Sequence, residues 1–325
     1  MTLLPVRWGI LGTASIATRK VIPGIHASMH GTIAAIASRD IVRAHRIATA
    51  NGIPRAFASY QDLLDDPDID AVYIPLPNHL HVEWSIRALD AGKHVLCEKP
   101  IGLNAAEART LVGVSQRHAK LKVAEAFMYR CHPRWELVRR LVLDHAIGQL
   151  RSVHTEFSYD NRDAANIRNI AAMGGGAWLD IGCYGVSVAR WLFDAEPVAV
   201  RGTMQLDPVF GTDTLTSAQL DFAHGTATVR CSTQLAPNQS VRIEGATGRI
   251  DLDLPFNPVG EQPTSIRIYH GSASEEIVIP PCDQFTIQAD RFNAAVRHDG
   301  DVPVPIEDSL ANMVVLDHVG ESNID

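Results

Sequence analysis

The sequence predicts an α/β domain followed by an α+β domain, with a doubly wound parallel sheet in the first and a large, open, mostly antiparallel sheet in the second. In the first 127 residues, short apolar runs alternate with helical stretches, which is typical of βαβ units. From about residue 151, strand-like runs follow one another through short turns, as antiparallel neighbours do. Helical spacing recurs in this second part, and we expect its helices to cover one face of the sheet.

The first domain is expected to span residues 1–127. Apolar runs predict its strands, at residues 6–11, 32–37, 71–76, 94–97 and 123–127. Helical stretches begin at about residue 15 and at 41, 79 and 104, the last with Asn104 and Glu107 in a capping-box pattern. Parallel sheets bind ligands at the carboxyl ends of their strands, so the loops that follow these strands are expected to line a binding site.

The second domain is expected to span residues 128–325. Its predicted strands lie at residues 151–159, 199–206, 216–222, 226–233, 239–244, 249–254, 265–269 and 275–279. Helices are predicted at 177–193, at 285–297 and from about 309 to 325, and the last is expected to pack back on the first domain.

Composition excludes several classes of protein. The net charge of −8 gives no basic surface for nucleic acid. No apolar run reaches the roughly 18 residues that a membrane span needs. The start of the chain lacks the charged region and cleavage site of a signal peptide. The five cysteines form no CxxC pair and no zinc spacing, which favours reduced thiols in a cytoplasmic protein without a metal site.

The turn after the first strand is a candidate phosphate-binding loop. Counting a GxGxxG/A pattern from Gly12 places Ala14 at the second glycine position and Ala17 at the third. Alanine at the second position adds one methyl group where the backbone must approach a pyrophosphate, so the motif is weaker than its glycine form. Free N–H groups at a helix start attract phosphate, and the predicted cofactor contacts here are Gly12, Thr13, Ala14, Ser15 and Ile16.

The end of the second strand indicates which dinucleotide is preferred. An NAD enzyme commonly has an acidic residue there, whereas this chain has Ser38 and Arg39. Ser38 can donate a hydrogen bond to a 2′-phosphate, and Arg39 can pair with it and stack on adenine. The alternative is a solvated turn in which Asp40 caps the next helix. We expect NADP(H) to be preferred over NAD(H).

Glu98-Lys99-Pro100 follows the fourth predicted strand, at the edge where the cofactor is expected. Lys99 is either a surface charge or a partly buried cation beside the reacting carbon, where it would lower the pKa of a nearby hydroxyl group. Glu98 can order the amine or a ribose hydroxyl. The placement after a strand of a dinucleotide-binding unit favours the functional interpretation.

In the second half, Gly174-Gly175-Gly176 precedes the helix that carries Asp180 and Tyr184. Three glycines allow a close backbone approach, and residues four apart share a helix face. A carboxylate and a phenol presented together suit substrate binding and proton transfer. The alternative is an Asp that favours the helix dipole and a Tyr that packs in the core. Arg168, on the preceding loop, is either a closing residue that reaches the cofactor or a surface arginine.

The segments WGILGTASIA, ASRD, DAVYIPLPNHLH, AGKHVLCEKP and GGGAWLDIGCYGV together resemble the glucose–fructose oxidoreductase / inositol dehydrogenase / rhizopine-catabolism (Gfo/Idh/MocA) family. The resemblance runs from Trp8 to Val186. It implies a Rossmann domain, a sheet domain that often forms the oligomer interface, and an active site of Lys99, Asp180 and Tyr184. Tyrosine at 184, where many members have histidine, resembles the branch with dihydrodiol dehydrogenase and NADP-dependent xylose dehydrogenases.

The resemblance also implies further contacts. The loop after the third strand would contact the nicotinamide ribose, through Leu76, Pro77, Asn78 and His81, although His81 can equally cap its helix. Tyr129 and Arg130, after the last strand of the first domain, are candidates for the substrate or the nicotinamide.

These residues lead to the hypothesis of reversible hydride transfer between NADP(H) and a carbinol carbon of a sugar-like substrate. Tyr184 would exchange the hydroxyl proton, aided by the charge of Lys99, while Asp180 orients the substrate; Lys99 as direct proton carrier stays open. The alternatives are a trans-dihydrodiol dehydrogenase and, in another class, a non-catalytic sugar sensor. The expected assembly is a homodimer or homotetramer through the C-terminal sheet.

Overall fold

The computed structural model describes residues 4–260 and 262–321. It divides into two compact units. The first contains the described residues up to Cys131 together with Asp283–Leu310, and the second contains His132–Cys282 together with the described residues from Ala311 onwards. No helix in the described ranges is long and apolar enough to cross a membrane.

The first unit contains a parallel six-stranded sheet in the order β3-β2-β1-β4-β5-β6, which confirms the predicted Rossmann architecture. The strands are β1 Val6–Leu11, β2 Gly31–Ala37, β3 Arg55–Phe57, β4 Ala71–Ile74, β5 His94–Cys97 and β6 Val123–Glu125. The central strands are apolar because helices cover both faces of such a sheet, and every residue of β4 is buried.

The helices follow in chain order: α1 Ile22–Ala27, α2 Ile41–Ala50, α3 Tyr60–Leu64, α4 His81–Asp90, α5 Ala105–Arg117, α6 Pro133–Leu143, α7 Cys183–Phe193, α8 Gln284–His298 and α9 Ile306–Glu321. The sequence did not predict β3, α3 or α6. Strand β3 has three residues, all half-buried, and helix α3 has five residues. Neither is long enough for a periodic pattern of apolar residues to emerge.

The second unit contains an eight-stranded sheet in the order β14-β13-β12-β11-β7-β10-β9-β8. Its strands are β7 Leu150–Asp160, β8 Ala199–Leu206, β9 Asp213–Phe222, β10 Gly225–Ser232, β11 Gln234–Gly245, β12 Arg249–Asp253, β13 Thr264–His270 and β14 Ala273–Ile279. Every neighbouring pair is antiparallel except β7 with β10, so the predicted mostly antiparallel sheet is confirmed.

The two faces of this sheet differ in chemistry. Residues such as Val153, Val229, Ile243 and Ile250 alternate into a buried apolar face, against which α7 packs. The intervening residues form the opposite face, which carries ion pairs between strands. Strict alternation of this kind is typical of a sheet with one covered face.

The predicted single boundary after residue 127 stays a prediction, and the compact units divide the chain differently. The chain returns to the first unit with Asp283–Leu310, and Trp8 Nε1 donates to Asn293 Oδ1 of α8 at 2.9 Å. Helix α9 begins in the first unit and continues in the second, where Trp178 Nε1 donates to the Leu316 carbonyl at 3.0 Å. Helical spacing alone does not reveal the sheet on which a helix packs.

Candidate active site

The turn after β1 has the shape of a phosphate-binding loop. Gly12 has φ +119, and a Cβ there would lie 3.2 Å from Leu76 Cδ2, so glycine is required by conformation and space. Thr13 and Ala14 lead into a helix that starts with a π-helical turn, Ala17–Val21. The N–H groups at this helix start offer donors to an anion. The loop therefore fits the pyrophosphate of a dinucleotide.

The loop after β2 collects positive charge beside this turn. Asp40 caps α2 by accepting from the Arg43 N–H at 3.0 Å, as the alternative interpretation of the segment expected. Ser38 Oγ accepts from the Asp40 N–H at 3.2 Å. Arg39 attracts the hydroxyl of Tyr60, whose pKa is raised because burial outweighs that attraction. The Asp40 carboxylate is thus engaged as the cap of α2, and the positive charge of Arg39 lies next to Ser38.

Sequence reasoning missed Arg43 and Tyr60. Arg43 Nη2 donates to the Thr13 carbonyl at 2.9 Å, which brings a second guanidinium to the phosphate-binding turn. The hydroxyl of Tyr60 lies 3.9 Å from where a Cβ of Gly12 would be. Arg43 was detectable, because the first turn of a helix that follows a parallel strand lies at the ligand-binding edge. Tyr60 was not, because α3 itself was not predicted.

Glu98 and Lys99 lie directly after β5, as predicted. Glu98 Oε1 accepts from the Tyr73 hydroxyl of β4 at 2.5 Å, so the neighbouring strand orders the carboxylate. Lys99 is half-buried, and its charge contributes to a lowered pKa at His81. The ammonium group therefore lies within electrostatic range of the loop after β4.

The structure places His81 between two loops, and its contact with the cofactor stays a prediction. The side chain is fully buried, with Nδ1 2.7 Å from the Pro100 carbonyl oxygen and Nε2 2.7 Å from that of Leu76. Burial lowers its pKa to about 4, so the ring is neutral at neutral pH. Through its two ring nitrogens, His81 holds the Leu76 loop and the segment after Lys99 together. Pro77 and Asn78 lie at the start of the intervening turn.

Tyr129 and Arg130 have partners within the first unit, and their contact with the substrate or the nicotinamide stays a prediction. The Tyr129 ring is fully buried and meets Phe127 edge-to-face at 5.8 Å. Arg130 Nη2 donates to Asp308 Oδ2 at 2.7 Å, and the arginine is buried as well. Both residues follow β6 in the chain. The Tyr129 side chain packs against Phe127, and the Arg130 side chain forms an ion pair with Asp308.

In the second unit, Asp180 is the centre of a polar cluster. Its Oδ2 accepts from the Tyr159 hydroxyl at 2.6 Å and from Arg168 Nε at 2.9 Å. The carboxylate raises the pKa of Arg168, and burial together with Asp180 raises that of Tyr159. Arg168 was predicted as a cofactor contact, and the structure gives it Asp180 as a partner. Tyr159 was missed, since a tyrosine in a strand is usual.

Tyr184 lies beside this cluster. The Arg168 guanidinium attracts both the Asp180 carboxylate and the Tyr184 hydroxyl, so it connects these two residues. The ring packs against Phe256 at 4.9 Å and Phe157 at 5.8 Å, which fixes its plane. The helix is not regular here, because a π turn at Trp178–Gly182 precedes α7. Lys99 belongs to the first unit and Asp180 with Tyr184 to the second, so their joint site remains a proposal.

The described residues contain no group of three His, Cys, Asp or Glu side chains that could hold a metal ion. The candidate groups for the reaction are a cation at Lys99, a phenol at Tyr184 and an oriented carboxylate at Asp180. A phenol and a cation can serve proton transfer, and a carboxylate can bind hydroxyl groups.

Comparisons with known proteins give a consistent result. Residues 6–126 match the GFO/IDH/MocA model described as an oxidoreductase family with an NAD-binding Rossmann fold, and residues 135–251 match the C-terminal domain model of the same family. An uncharacterized oxidoreductase of Rhizobium meliloti is 45% identical over 98% of this chain and 96% of its own length. A D-xylose 1-dehydrogenase (NADP⁺) of Haloferax volcanii is 39% identical over 97% and 96%.

Among solved structures, the chain is similar to KijD10, a 3-ketoreductase from Actinomadura kijaniata in complex with NADP and TDP-benzene. The TM-score is 0.91, with 33% identity over 98% of each chain.

Proposed function

We propose that this chain, which belongs to the GFO/IDH/MocA oxidoreductase family, catalyses the reversible NADP(H)-dependent oxidation of a carbinol carbon in a sugar or related polyol. As a member of this family it is an NAD(P)-dependent oxidoreductase of sugar-related substrates. The observation that carries the finer proposal is the placement of Arg168, which pairs with Asp180 and attracts Tyr184. A carboxylate that can orient hydroxyl groups thus accompanies a phenol that can exchange a proton.

Each residue has a role in this reaction. When bound, the dinucleotide supplies the acceptor or donor of the hydride. The substrate hydroxyl loses its proton to the Tyr184 oxygen during oxidation, and Tyr184 returns it during reduction. The Lys99 ammonium stabilises the developing negative charge, and Asp180 accepts hydrogen bonds from neighbouring substrate hydroxyls. Lys99 as the direct proton carrier is the second assignment, and the variants below separate the two.

The preference for NADP(H) rests on the loop after β2. Ser38, Arg39 and Arg43 offer a hydroxyl and two guanidinium groups, and the only carboxylate in the segment, Asp40, caps α2. A 2′-phosphate is recognised by such charged donors, whereas a bare ribose prefers a carboxylate. The Haloferax relative carries NADP⁺ in its name, and the Actinomadura enzyme was solved with NADP.

The experiment that tests the function follows the 340 nm absorbance of reduced nicotinamide, with NADP(H) and NAD(H) compared on one panel of substrates. The panel contains D-xylose and other aldoses, 1,5-anhydrofructose and trans-dihydrodiols. Turnover of an aldose with NADP⁺ supports the proposal. Preferential turnover of a dihydrodiol identifies a dihydrodiol dehydrogenase. Binding of sugar by calorimetry, without turnover of either cofactor, identifies a sensor.

Replacing Lys99 by Met tests the reaction centre. We expect kcat to fall by about 10² to 10⁴-fold, while the Kd for NADPH changes by less than about threefold, because the lysine acts on the transferring proton. Tyr184→Phe should show a similar loss. If Lys99 carries the proton itself, its removal alone abolishes the pH dependence of kcat. Lys120→Met, which replaces an exposed lysine in the turn after α5, is the control. Near-normal turnover in Lys99→Met contradicts the assignment.

We also propose assembly as a homodimer or homotetramer through the charged face of the second sheet. Cross-strand pairs on this face alternate in sign, with Arg230 3.5 Å from Glu156 and Arg242 3.1 Å from Asp251. Two copies related by a twofold axis present the same surface to each other, so a face with both signs can pair with itself.

A further inference from the structure

The start of the helix that carries Asp180 is held by a carboxylate from a distant strand. The Trp178 N–H donates to Asp213 Oδ2 at 2.7 Å, and the Thr216 hydroxyl donates to the same oxygen at 2.6 Å. Asp213 is the first residue of β9 and lies 35 positions along the chain from Trp178. It is 8% exposed. The helix is therefore capped by a tertiary contact and not by its own N-cap residue, Ala177, which makes no side-chain bond.

The triple glycine creates the room for this contact. Gly176 has φ +118, and a Cβ there would clash with Asp213 Oδ1. A Cβ on Gly175 would lie 2.5 Å from the Arg168 carbonyl oxygen, to which the Gly176 N–H donates at 2.8 Å. The glycines thus admit two groups of this chain, the Asp213 carboxylate and the backbone of Arg168.

These contacts converge on the functional cluster. Asp180 follows Trp178 by two residues, and its N–H donates to the Gly176 carbonyl at 3.2 Å. Arg168, whose backbone contacts Gly176, also binds Asp180 through its side chain. A shift of the Asp213 carboxylate therefore moves both partners of the Asp180–Arg168 pair. Burial raises the Asp213 pKa, while the bonds from Thr216 and Trp178 oppose that rise.

We propose that Asp213 is a positioning residue for the reaction: its carboxylate fixes the helix start and the glycine turn so that Asp180 and Tyr184 keep their places beside Arg168. The proposal rests on the proposed function of Asp180 and Tyr184. It assigns no contact between Asp213 and substrate or cofactor.

The test replaces Asp213 by Ala and by Asn. We expect kcat to fall by about tenfold to a hundredfold in Asp213→Ala, since small misplacements of reacting groups have effects of this size. Asp213→Asn keeps an acceptor oxygen and should recover most of kcat. The Kd for NADPH should stay within about twofold in both variants, because the phosphate-binding turn belongs to the first unit. Amide hydrogen exchange in residues 176–182 should accelerate in Asp213→Ala.

A pair of glycine variants controls for backbone strain. Gly176→Ala should reproduce the loss of kcat, because its Cβ displaces the carboxylate. Gly211→Ala, just before β9, has φ +66 with nothing within 4 Å of its Cβ, so it carries the conformational cost without the collision. It should retain the wild-type kcat. If Asp213→Ala fails to fold, Thr216→Val removes one donor to the carboxylate and should lower kcat several-fold.

The results that overturn the proposal are distinct from those that overturn the function. Wild-type kcat in folded Asp213→Ala, or in Thr216→Val when the first variant does not fold, contradicts the positioning role. A loss explained entirely by the unfolded fraction contradicts it too. If the wild-type protein turns over no substrate, the proposed function fails. In that case amide hydrogen exchange in residues 176–182 is the remaining test of the contact between Asp213 and Trp178. Unchanged exchange rates in the variants contradict the proposal that Asp213 fixes the helix start.

Discussion

Buried side chains lie against the backbone that follows Lys99. His81 lies within hydrogen-bond distance of the Pro100 carbonyl, and the buried Glu125 carboxyl, at the end of β6, lies near Ile101, whose backbone N–H favours its ionised form and so lowers its pKa. Glu125 is almost fully buried, and Ser309 of α9 also lowers its pKa. Two ionisable groups thus lie beside the peptide segment that follows the candidate catalytic lysine. Their charge states affect stability as well as placement.

Glu125 should make the stability of the protein fall as the pH rises towards neutrality. Burial, with a contribution from Asp308, raises its pKa from 4.5 to about 7. Between those values the folded chain holds a proton that the unfolded chain has released, so the free energy of unfolding decreases with pH and levels off above about pH 7. The loss attributable to this group is about 3 kcal/mol.

Chemical denaturation of wild type and Glu125→Gln at about pH 4 and pH 8 measures the effect, because these pH values bracket the window of about 2.5 units between the two pKa values. Since Gln does not titrate, the variant should lose less stability between these pH values than the wild type. Glu83→Gln, an exposed residue of α4, should keep the wild-type pH dependence. An identical pH dependence in wild type and Glu125→Gln would show that the carboxyl group is not protonated in the folded protein.

At the scale of elements, some helix starts are capped by neighbouring residues in the chain and another is capped by a residue of a distant strand. Helix α5 begins with a reciprocal pattern: Asn104 Oδ1 accepts from the Glu107 N–H at 2.9 Å, and Glu107 Oε2 accepts from the Leu103 N–H at 2.8 Å. This local pattern was predicted and is confirmed. The helix of Asp180 lacks such a pattern at its start, and a residue of β9 supplies the acceptor.

Replacing Asn104 by Ala should lower the free energy of unfolding by about 1 kcal/mol, because the Glu107 N–H loses its acceptor. Denaturant titration of the purified variant measures this change. Thr110→Ala, at an exposed position in the middle of α5, is the matched control and should alter stability by less than about 0.5 kcal/mol. Equal effects of the two substitutions would mean that helix propensity, and not the cap, determines the stability of α5.

For the whole molecule, one face of the second sheet contributes to stability and the other is the proposed surface of association. The buried face supplies the hydrophobic core of its unit, and the other presents charges of both signs. Surface ion pairs contribute little to the stability of a monomer. Across a symmetric interface the same charges determine which surfaces fit together. Association through this face is therefore expected to depend on salt.

Arg230→Glu tests the proposed assembly. The substitution places two carboxylates together at Glu156, so the dissociation constant of the oligomer should rise by at least about tenfold. Light scattering coupled to size exclusion, at low and high salt, measures the molar mass over a range of concentrations. Arg109→Glu, an exposed residue of α5, makes the same charge change in the first unit and should leave the mass unchanged. A monomeric wild type, or equal masses for all three proteins, contradicts the proposed interface.

The sequence by itself determined the alternation of strands and helices, the glycine turn at Gly12, the Asn104 cap and the position of Lys99 after β5. These features depend on residues within a few positions of one another, where spacing fixes geometry. Only the tertiary structure decided that Arg130 pairs with Asp308, that His81 bridges two loops and that Asp213 caps the helix of Asp180. Apart from His81 and Leu76, which are 5 positions apart, these partners lie 19 to 178 positions apart, and packing of the elements, which no local pattern encodes, brings them together.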